Sequence, residues 1–212
     1  MKVILAGSTG FIGREVLSQC LAHPAITSIV ALSRRDLPAH EKLKVALIED
    51  FMTYPDSIQD EIRDAEACIW TLGKAHMPNN DTARRVCLDY TLAAAQVFRE
   101  TCQKPFRFIY CSGGAAERDQ TKSLWFMQKY RHIRGQVENE LLEIANDPGF
   151  KAHIMRPAMV LAQDMSLRSL VFSLGPSVRL DNLARAMLDL ALKGGKKTIW
   201  ENADINQSNR LI

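Results

Sequence analysis

The sequence predicts an α/β fold, a doubly wound parallel sheet in a single domain (residues 1–212), with a small substrate cap drawn mainly from residues 159–178. Three observations carry that expectation. The apolar run Val3-Ile4-Leu5-Ala6 passes without a break into Gly7-Ser8-Thr9-Gly10-Phe11-Ile12-Gly13, a strand feeding a glycine turn and then a helix. Short apolar runs then alternate with amphipathic stretches along the chain, which is the pattern of crossover units packed on both faces of a parallel sheet. A length of 212 residues with 47% hydrophobic content suits one full core.

Each element follows from local pattern. Phe11, Ile12, Val16, Leu17, Cys20 and Leu21 share one face of a first helix, whose unpaired amides and positive dipole end make an anion site above the glycine turn. The spacing is G-x-x-G-x-x-G, and its setting between strand and helix predicts a dinucleotide pyrophosphate held by backbone, with Gly7, Ser8, Thr9, Gly10, Phe11 and Ile12 in contact. Ser28–Leu32 reads as the second strand and ends in Ser33-Arg34-Arg35-Asp36. Arginine at that strand end accommodates a ribose 2′-phosphate, whereas Asp36 is a counter-candidate for a free 2′-hydroxyl, so the run favours NADP over NAD. Lys44–Ile48 is a third strand; Asp50 and Phe51 just beyond it can bond the adenine amino group and cover its face, or form an ordinary strand exit. Pro55 to Ile62 reads as a short helix. Ala67–Gly73 reads as the fourth strand, with Thr71, Leu72 and Gly73 small enough to let a cofactor cross the sheet edge. A long helix is expected over Thr82–Cys102 with Asp81 as its cap, then a fifth strand over Phe106–Cys111 ending at Ser112-Gly113-Gly114. A second long helix is expected over Ser123–Ala145, and a sixth strand over Ala152–Pro157 in which His153 alternates with apolar residues as a structural side chain. Met165 to Leu174 reads as a short helix over the substrate. Asp181 should cap a helix that stops at Gly194-Gly195.

Composition narrows the function classes. A net charge of +3 spread along the chain implies no nucleic-acid partner. Five cysteines, odd in number and without C-x-x-C or histidines at ligand spacing, read as core residues of a cytoplasmic protein without a metal. The apolar run after Lys2 is too short for a secretory core, and no stretch approaches a membrane span.

The helix after the fifth strand carries the chemistry. Met127, Tyr130, Arg134, Val137, Leu141 and Ile144 fall on one stripe, so Arg134 is a charge on an apolar face and should meet an anion, a hydroxyl or a ring. Ser112, Tyr130 and Arg134 together resemble the serine and tyrosine-x-x-x-lysine set of short-chain dehydrogenases, with arginine in the lysine position. With Gly7 to Gly13, Ser33-Arg34-Arg35, Val137, Glu138, Arg156-Pro157-Ala158, Arg179 to Met187, and Trp200 to Ile205 as a last strand, the whole chain resembles the atypical short-chain dehydrogenase/reductase superfamily. The resemblance points to the Tat-interacting-protein-like, nucleoside-diphosphate-sugar-epimerase-like branch.

That resemblance implies a Rossmann-type domain and a mechanism. Tyr130 would act as general acid or base, Ser112 would orient the reacting oxygen, Arg134 would hold the nicotinamide ribose and lower the tyrosine pKa, and Pro157, Ala158 and Val160 would line the nicotinamide. Arginine cannot deprotonate, so a proton relay through lysine is lost and slow turnover is expected. The leading expectation is an NADP(H)-dependent oxidoreductase acting on a small carbonyl or activated double bond, because only about twenty residues separate Met159 from Val178. The alternatives are an NADPH-binding regulatory protein with a protein partner, or a redox-neutral isomerase or cyclase. A homodimer through the long helices is compatible with the pattern.

Overall fold

The computed structural model describes residues 1–73, 79–162 and 175–207. Seven strands form one wholly parallel sheet: β1 (Lys2–Ala6), β2 (Ser28–Ser33), β3 (Leu43–Leu47), β4 (Ala67–Trp70), β5 (Phe106–Cys111), β6 (Phe150–Arg156) and β9 (Ile199–Glu201). Their order is β3-β2-β1-β4-β5-β6-β9. The winding reverses between β1 and β4, which is the crevice where doubly wound sheets place their ligands. A separate parallel pair, β7 (Met159–Leu161) and β8 (Ser177–Arg179), stands beyond the end of β6.

The central strands read as continuous apolar runs because both faces are covered. On one face α1 (Phe11–Ala22) and α6 (Leu180–Lys193) bury Val16, Cys20, Leu183, Met187 and Leu190 against Val3, Leu5, Ile69 and Ile109. On the other lie α2 (Asp56–Ile62), α4 (Tyr90–Thr101) and α5 (Gln128–Ile144). There Phe98, Val137 and Leu141 pack on Trp70, Phe108 and Tyr110. Trp70 stacks on Phe108 at 5.8 to 6.4 Å from its ring neighbours, so this half of the core is a contiguous aromatic layer. Among the described residues no helix is long and apolar enough to cross a membrane.

Several expected boundaries move. The helix expected over Thr82–Cys102 is three pieces, α3 (Asn80–Ala83), a π-helical turn (Arg84–Asp89) and α4. Asn79, not Asp81, caps it, its side chain accepting from Thr82 N at 2.8 Å. Strand β4 stops at Trp70, so Thr71 to Gly73 form the loop beyond it. The helix expected from Ser123 starts at Gln128, because Met127 adopts φ +48, a left-handed turn that breaks the run. Arg179 rather than Asp181 is the N-cap of α6; Asp181 sits in the first turn and pairs with Arg179. Trp200 to Ile205 is not one strand: β9 ends at Glu201 and α7 (Asn202–Asn206) begins. The short helix expected over Met165–Leu174 lies outside the described residues. His153 is structural as expected, 5% exposed with Nδ1 3.0 Å from Lys197 O.

Candidate functional site

The glycine turn is built by close backbone approach. Gly7 has φ +85, a conformation that disfavours any side chain, and Gly10 N donates to Gly7 O at 2.9 Å. A Cβ at Gly13 would lie 2.0 Å from Gly7 O, so only glycine lets α1 start this close to β1. Gly10 caps α1 with no side-chain hydrogen bond and no acidic residue in the first turn, which leaves the positive helix end for an external anion. Ser8 is 1% exposed and its Oγ has no partner among the described residues. An orphaned buried hydroxyl beside an uncapped helix end fits a phosphate acceptor. Thr9, Gly10 and Phe11 are exposed along the turn and Ile12 is half-buried.

Across the crevice, Thr71 completes the floor. Its N and Oγ1 both donate to Ala6 O, at 3.0 and 2.8 Å, tying the β4 exit to the end of β1. Leu72 is half-buried and Gly73 exposed, at φ +138.

At the β2 exit Ser33 is buried, and its Oγ accepts from Arg35 N at 3.2 Å, which fixes the turn that presents Arg34, Arg35 and Asp36 to solvent. At the β3 exit Phe51 follows the second of the two expected arrangements, an ordinary strand exit. Phe51 is 2% exposed, with its ring 5.8 Å from Trp70 and 5.6 Å from Tyr90. Core packing has taken the face that was expected to cover an adenine. Asp50 is paired with Arg85 of the π-helical turn at 3.2 Å, and Arg85 also donates to Tyr90 Oη.

Arg134 is the centre of the β4–β5 edge. It is 8% exposed, its Nη2 donates to Cys111 O at 2.7 Å, and its guanidinium lies 5.2 Å from the centroid of the Tyr110 ring. It meets a ring and a carbonyl as the stripe required, but no anion: among the described residues it has no ion pair. A Cβ at Gly73 would lie 3.5 Å from Arg134 Nη1 and 3.7 Å from Cys87 Sγ, so the π-helical turn, the β4 loop and α5 converge here. π-helical turns of this kind concentrate at functional sites. Tyr130, one turn before Arg134, is half-buried. Burial raises its pKa above the ordinary phenol value and outweighs the opposing pull of the Arg134 charge, contrary to the expected net lowering.

Ser112 is bonded to a residue outside the expected triad. It is 5% exposed, and its Oγ donates to Glu138 Oε1 at 2.5 Å. Glu138 is fully buried one turn past Arg134, and both its oxygens accept from Arg156 Nε at 3.0 Å, with Arg156 Nη2 adding a further bond. Arg156 Nη1 reaches Glu201 Oε1 at 3.1 Å, and the Glu138 bonds raise the pKa of its guanidinium. The signal for Glu138 was in the sequence: four residues after Arg134 it is a second charge on the same helical face. Beyond Arg156, Pro157 is buried and its O accepts from Gly114 N at 2.8 Å. Ala158 N donates to Asn202 Oδ1 at 3.0 Å, while Val160 on β7 packs against the core cluster that includes α6. A groove of about 570 Å³, lined by Glu15, Gln19, His23, Asp181 and Arg185, sits at the end of α1 remote from the glycine turn and shares no residue with this site.

The chain matches the NAD dependent epimerase/dehydratase family over residues 3–203. It is 25% identical over 182 residues to leucinostatins biosynthesis cluster protein T from Purpureocillium lilacinum, covering 84% of this chain and 65% of that protein. The chain therefore spans just under two thirds of that relative's length. Its fold is similar to Gre2 from Candida albicans in complex with NADPH, with a TM-score of 0.69, 16% identity, and coverage of 91% of this chain and 75% of that one. It is also similar to vestitone reductase from alfalfa (Medicago sativa), with a TM-score of 0.69, 19% identity, and coverage of 94% and 76%. With the glycine turn at the switch point of a parallel sheet and a match running from β1 through β9, the chain belongs to the NAD dependent epimerase/dehydratase family.

Proposed function

We propose that this single-domain chain is an NADP(H)-dependent cytoplasmic reductase acting on a small carbonyl or an activated double bond. The observation that carries the reading is the buried, carboxylate-free Arg134 where the β4 loop, the end of β5 and α5 meet, one turn from Tyr130. A cation kept there at a desolvation cost, without an anionic partner among the described residues, suits ribose hydroxyls and a reacting oxygen. Gly7 to Ile12, with Ser8 Oγ, would hold the pyrophosphate; Arg34 and Arg35 would take the 2′-phosphate; Thr71 to Gly73 and Pro157 to Val160 would flank the nicotinamide. Asp50, half-buried and paired with Arg85, would lie on the adenine side. When bound, the cofactor supplies hydride to the substrate carbon. The substrate oxygen takes the proton from the Tyr130 Oη–H bond, leaving a phenolate that solvent reprotonates. The raised pKa of Tyr130 keeps that proton in place at neutral pH, which suits the reducing direction. Support for a reductase comes also from the folds of Gre2 and vestitone reductase.

The test is loss of NADPH absorbance against a panel of aldehydes, ketones and enones. Tyr130→Phe should reduce turnover by about 10²- to 10⁴-fold while NADPH still binds. Unchanged turnover would remove Tyr130 from the chemistry, and NADPH binding without turnover on any carbonyl would favour the regulatory reading.

A further inference from the structure

We propose that Trp125 and Phe126, with Met159 on the adjoining segment, are the specificity surface at the mouth of the site, and that the carbonyl compound it takes carries an alkyl or aryl arm in place of a sugar. The inference rests on the reading above, in which Tyr130 and the nicotinamide meet the reacting carbonyl. Among the described residues the exposed large hydrophobics are Phe11, Leu47, Met52, Trp125, Phe126 and Met159. Apolar side chains scattered singly over a surface need no explanation, but these share one edge of the molecule. Each closes or follows a strand at its carboxyl end, where a doubly wound sheet takes its ligands. Trp125 is 96% and Phe126 54% exposed, and their rings lie 5.7 Å apart. Leu124 N donates to Gln128 Oε1 at 3.2 Å, which ties this pair to the first turn of α5, the turn that bears Tyr130. Gly114 N, near the start of the same β5–α5 connection, donates to Pro157 O at 2.8 Å, so the segment carrying Met159 adjoins it. The polar side chains around the pair are engaged with their own segment. Arg131 Nε donates to Ala115 O at 2.7 Å, Gln120 Nε2 donates to Glu117 O and His132 O at 3.1 and 3.2 Å, and Lys122 pairs with Glu117 at 2.9 Å. With those groups occupied, the pair offers an arriving ligand its ring faces, which remove alkyl or aryl surface from water.

Tryptophan emission reads this surface directly, because Trp70 and Trp200 are 0% and 1% exposed and Trp125 is the exposed one of the three. The full chain, free or saturated with NADP⁺, holds no hydride to transfer, so ketone binding is followed without turnover. Decan-2-one should move the emission to shorter wavelength while butan-2-one should not, and Trp125→Phe should abolish the shift. Burying a methylene favours binding about fourfold. In equilibrium dialysis decan-2-one should therefore bind at least about tenfold more tightly than butan-2-one. Trp125→Ser/Phe126→Ser, confined to exposed positions that the fold does not need, should cut that ratio at least about fivefold. A ratio untouched by the double substitution, an emission shift that tracks protein concentration in place of ketone, or a shift with UDP-glucose and none with decan-2-one overturns the proposal. The reductase reading is judged separately, by NADPH absorbance and Tyr130→Phe. Ketones that bind as described and are never reduced would sink that reading and leave the apolar surface standing.

Discussion

Replacing Arg134 by methionine separates what that residue does for the fold from what it does for a ligand. In the free protein the guanidinium gains a hydrogen bond to Cys111 O at 2.7 Å and the Tyr110 ring at 5.2 Å. A hydrogen bond from a charged donor contributes about 1.5–3 kcal/mol and a desolvated cation–π contact about 2 kcal/mol. Against them stands the cost of burying a cation without a counter-ion, several kcal/mol. The two sides nearly cancel, and methionine fills a similar volume, so Arg134→Met should change unfolding free energy in urea by no more than about 1 kcal/mol. If the guanidinium bonds ribose hydroxyls, the loss of about 1.5–3 kcal/mol falls on binding instead, and NADPH affinity should drop roughly tenfold to a hundredfold in a fluorescence titration. A variant that loses about 3 kcal/mol of stability yet binds NADPH like the wild type would refute the reasoning and make Arg134 a structural residue.

The remaining predictions use the same protein. Arg34→Ala and Arg35→Ala should each weaken NADP(H) more than NAD(H), so that the dissociation constant of NADP(H) rises at least several-fold relative to that of NAD(H); equal loss for both cofactors would assign the 2′-phosphate elsewhere. Gly135→Ala places a Cβ 1.7 Å from Glu117 O and 2.1 Å from Glu117 C, backbone that cannot step aside. It should cost about 1–3 kcal/mol in urea unfolding despite the gain of up to about 1 kcal/mol in helix propensity, and a neutral result would show that the 117–118 turn yields. Burial holds the His153 imidazole below its ordinary value of 6.5. The folded state then binds fewer protons than the unfolded one, so stability is complete above about pH 6.5 and is lost as pH falls toward the folded value; His153→Gln should flatten that limb of a pH series of urea melts.

What was legible from the sequence was local. The β1–turn–α1 unit needs only an apolar run, glycines and a 3.6-residue stripe, and it stands where expected. Arg134 was legible for the same reason, as a charge violating a stripe. The choice between the two arrangements of Phe51 was not legible, because it depends on Trp70 and Tyr90, residues that no short window brings to it. The Ser112–Glu138 and Glu138–Arg156 bonds span 26 and 18 positions, and Asn202 reaches Ala158 across 44. Such pairs follow from strand order, which fixes that the ends of β5, β6 and β9 lie side by side. The π-helical turn had no signal either: one extra residue in a turn leaves composition and periodicity almost unchanged, yet it sets Arg85 against Asp50 and Cys87 near Arg134.

The placement of Tyr130, Arg134 and Glu138 at steps of four residues explains why one helix can carry so much of the site. All three project from one side of α5, whose depth is set by Val137 and Leu141 in the core and whose register is set by Gly135 lying against the Glu117–Arg118 backbone. A rigid helix therefore fixes the separations of the phenol, the guanidinium and the carboxylate together, which loops could not do as closely. Two guanidiniums, the buried one of Arg134 and the half-buried one of Arg156, then divide the roles. Arg156 is neutralised by Glu138 and Glu201 and braces the ends of β6 and β9. Arg134 is left with a carbonyl and a ring, so it keeps its electrostatic reach into the crevice between Gly73 and Cys111. Neutralising Arg134 with a carboxylate would leave a site with no field to offer a bound anion or a developing oxyanion.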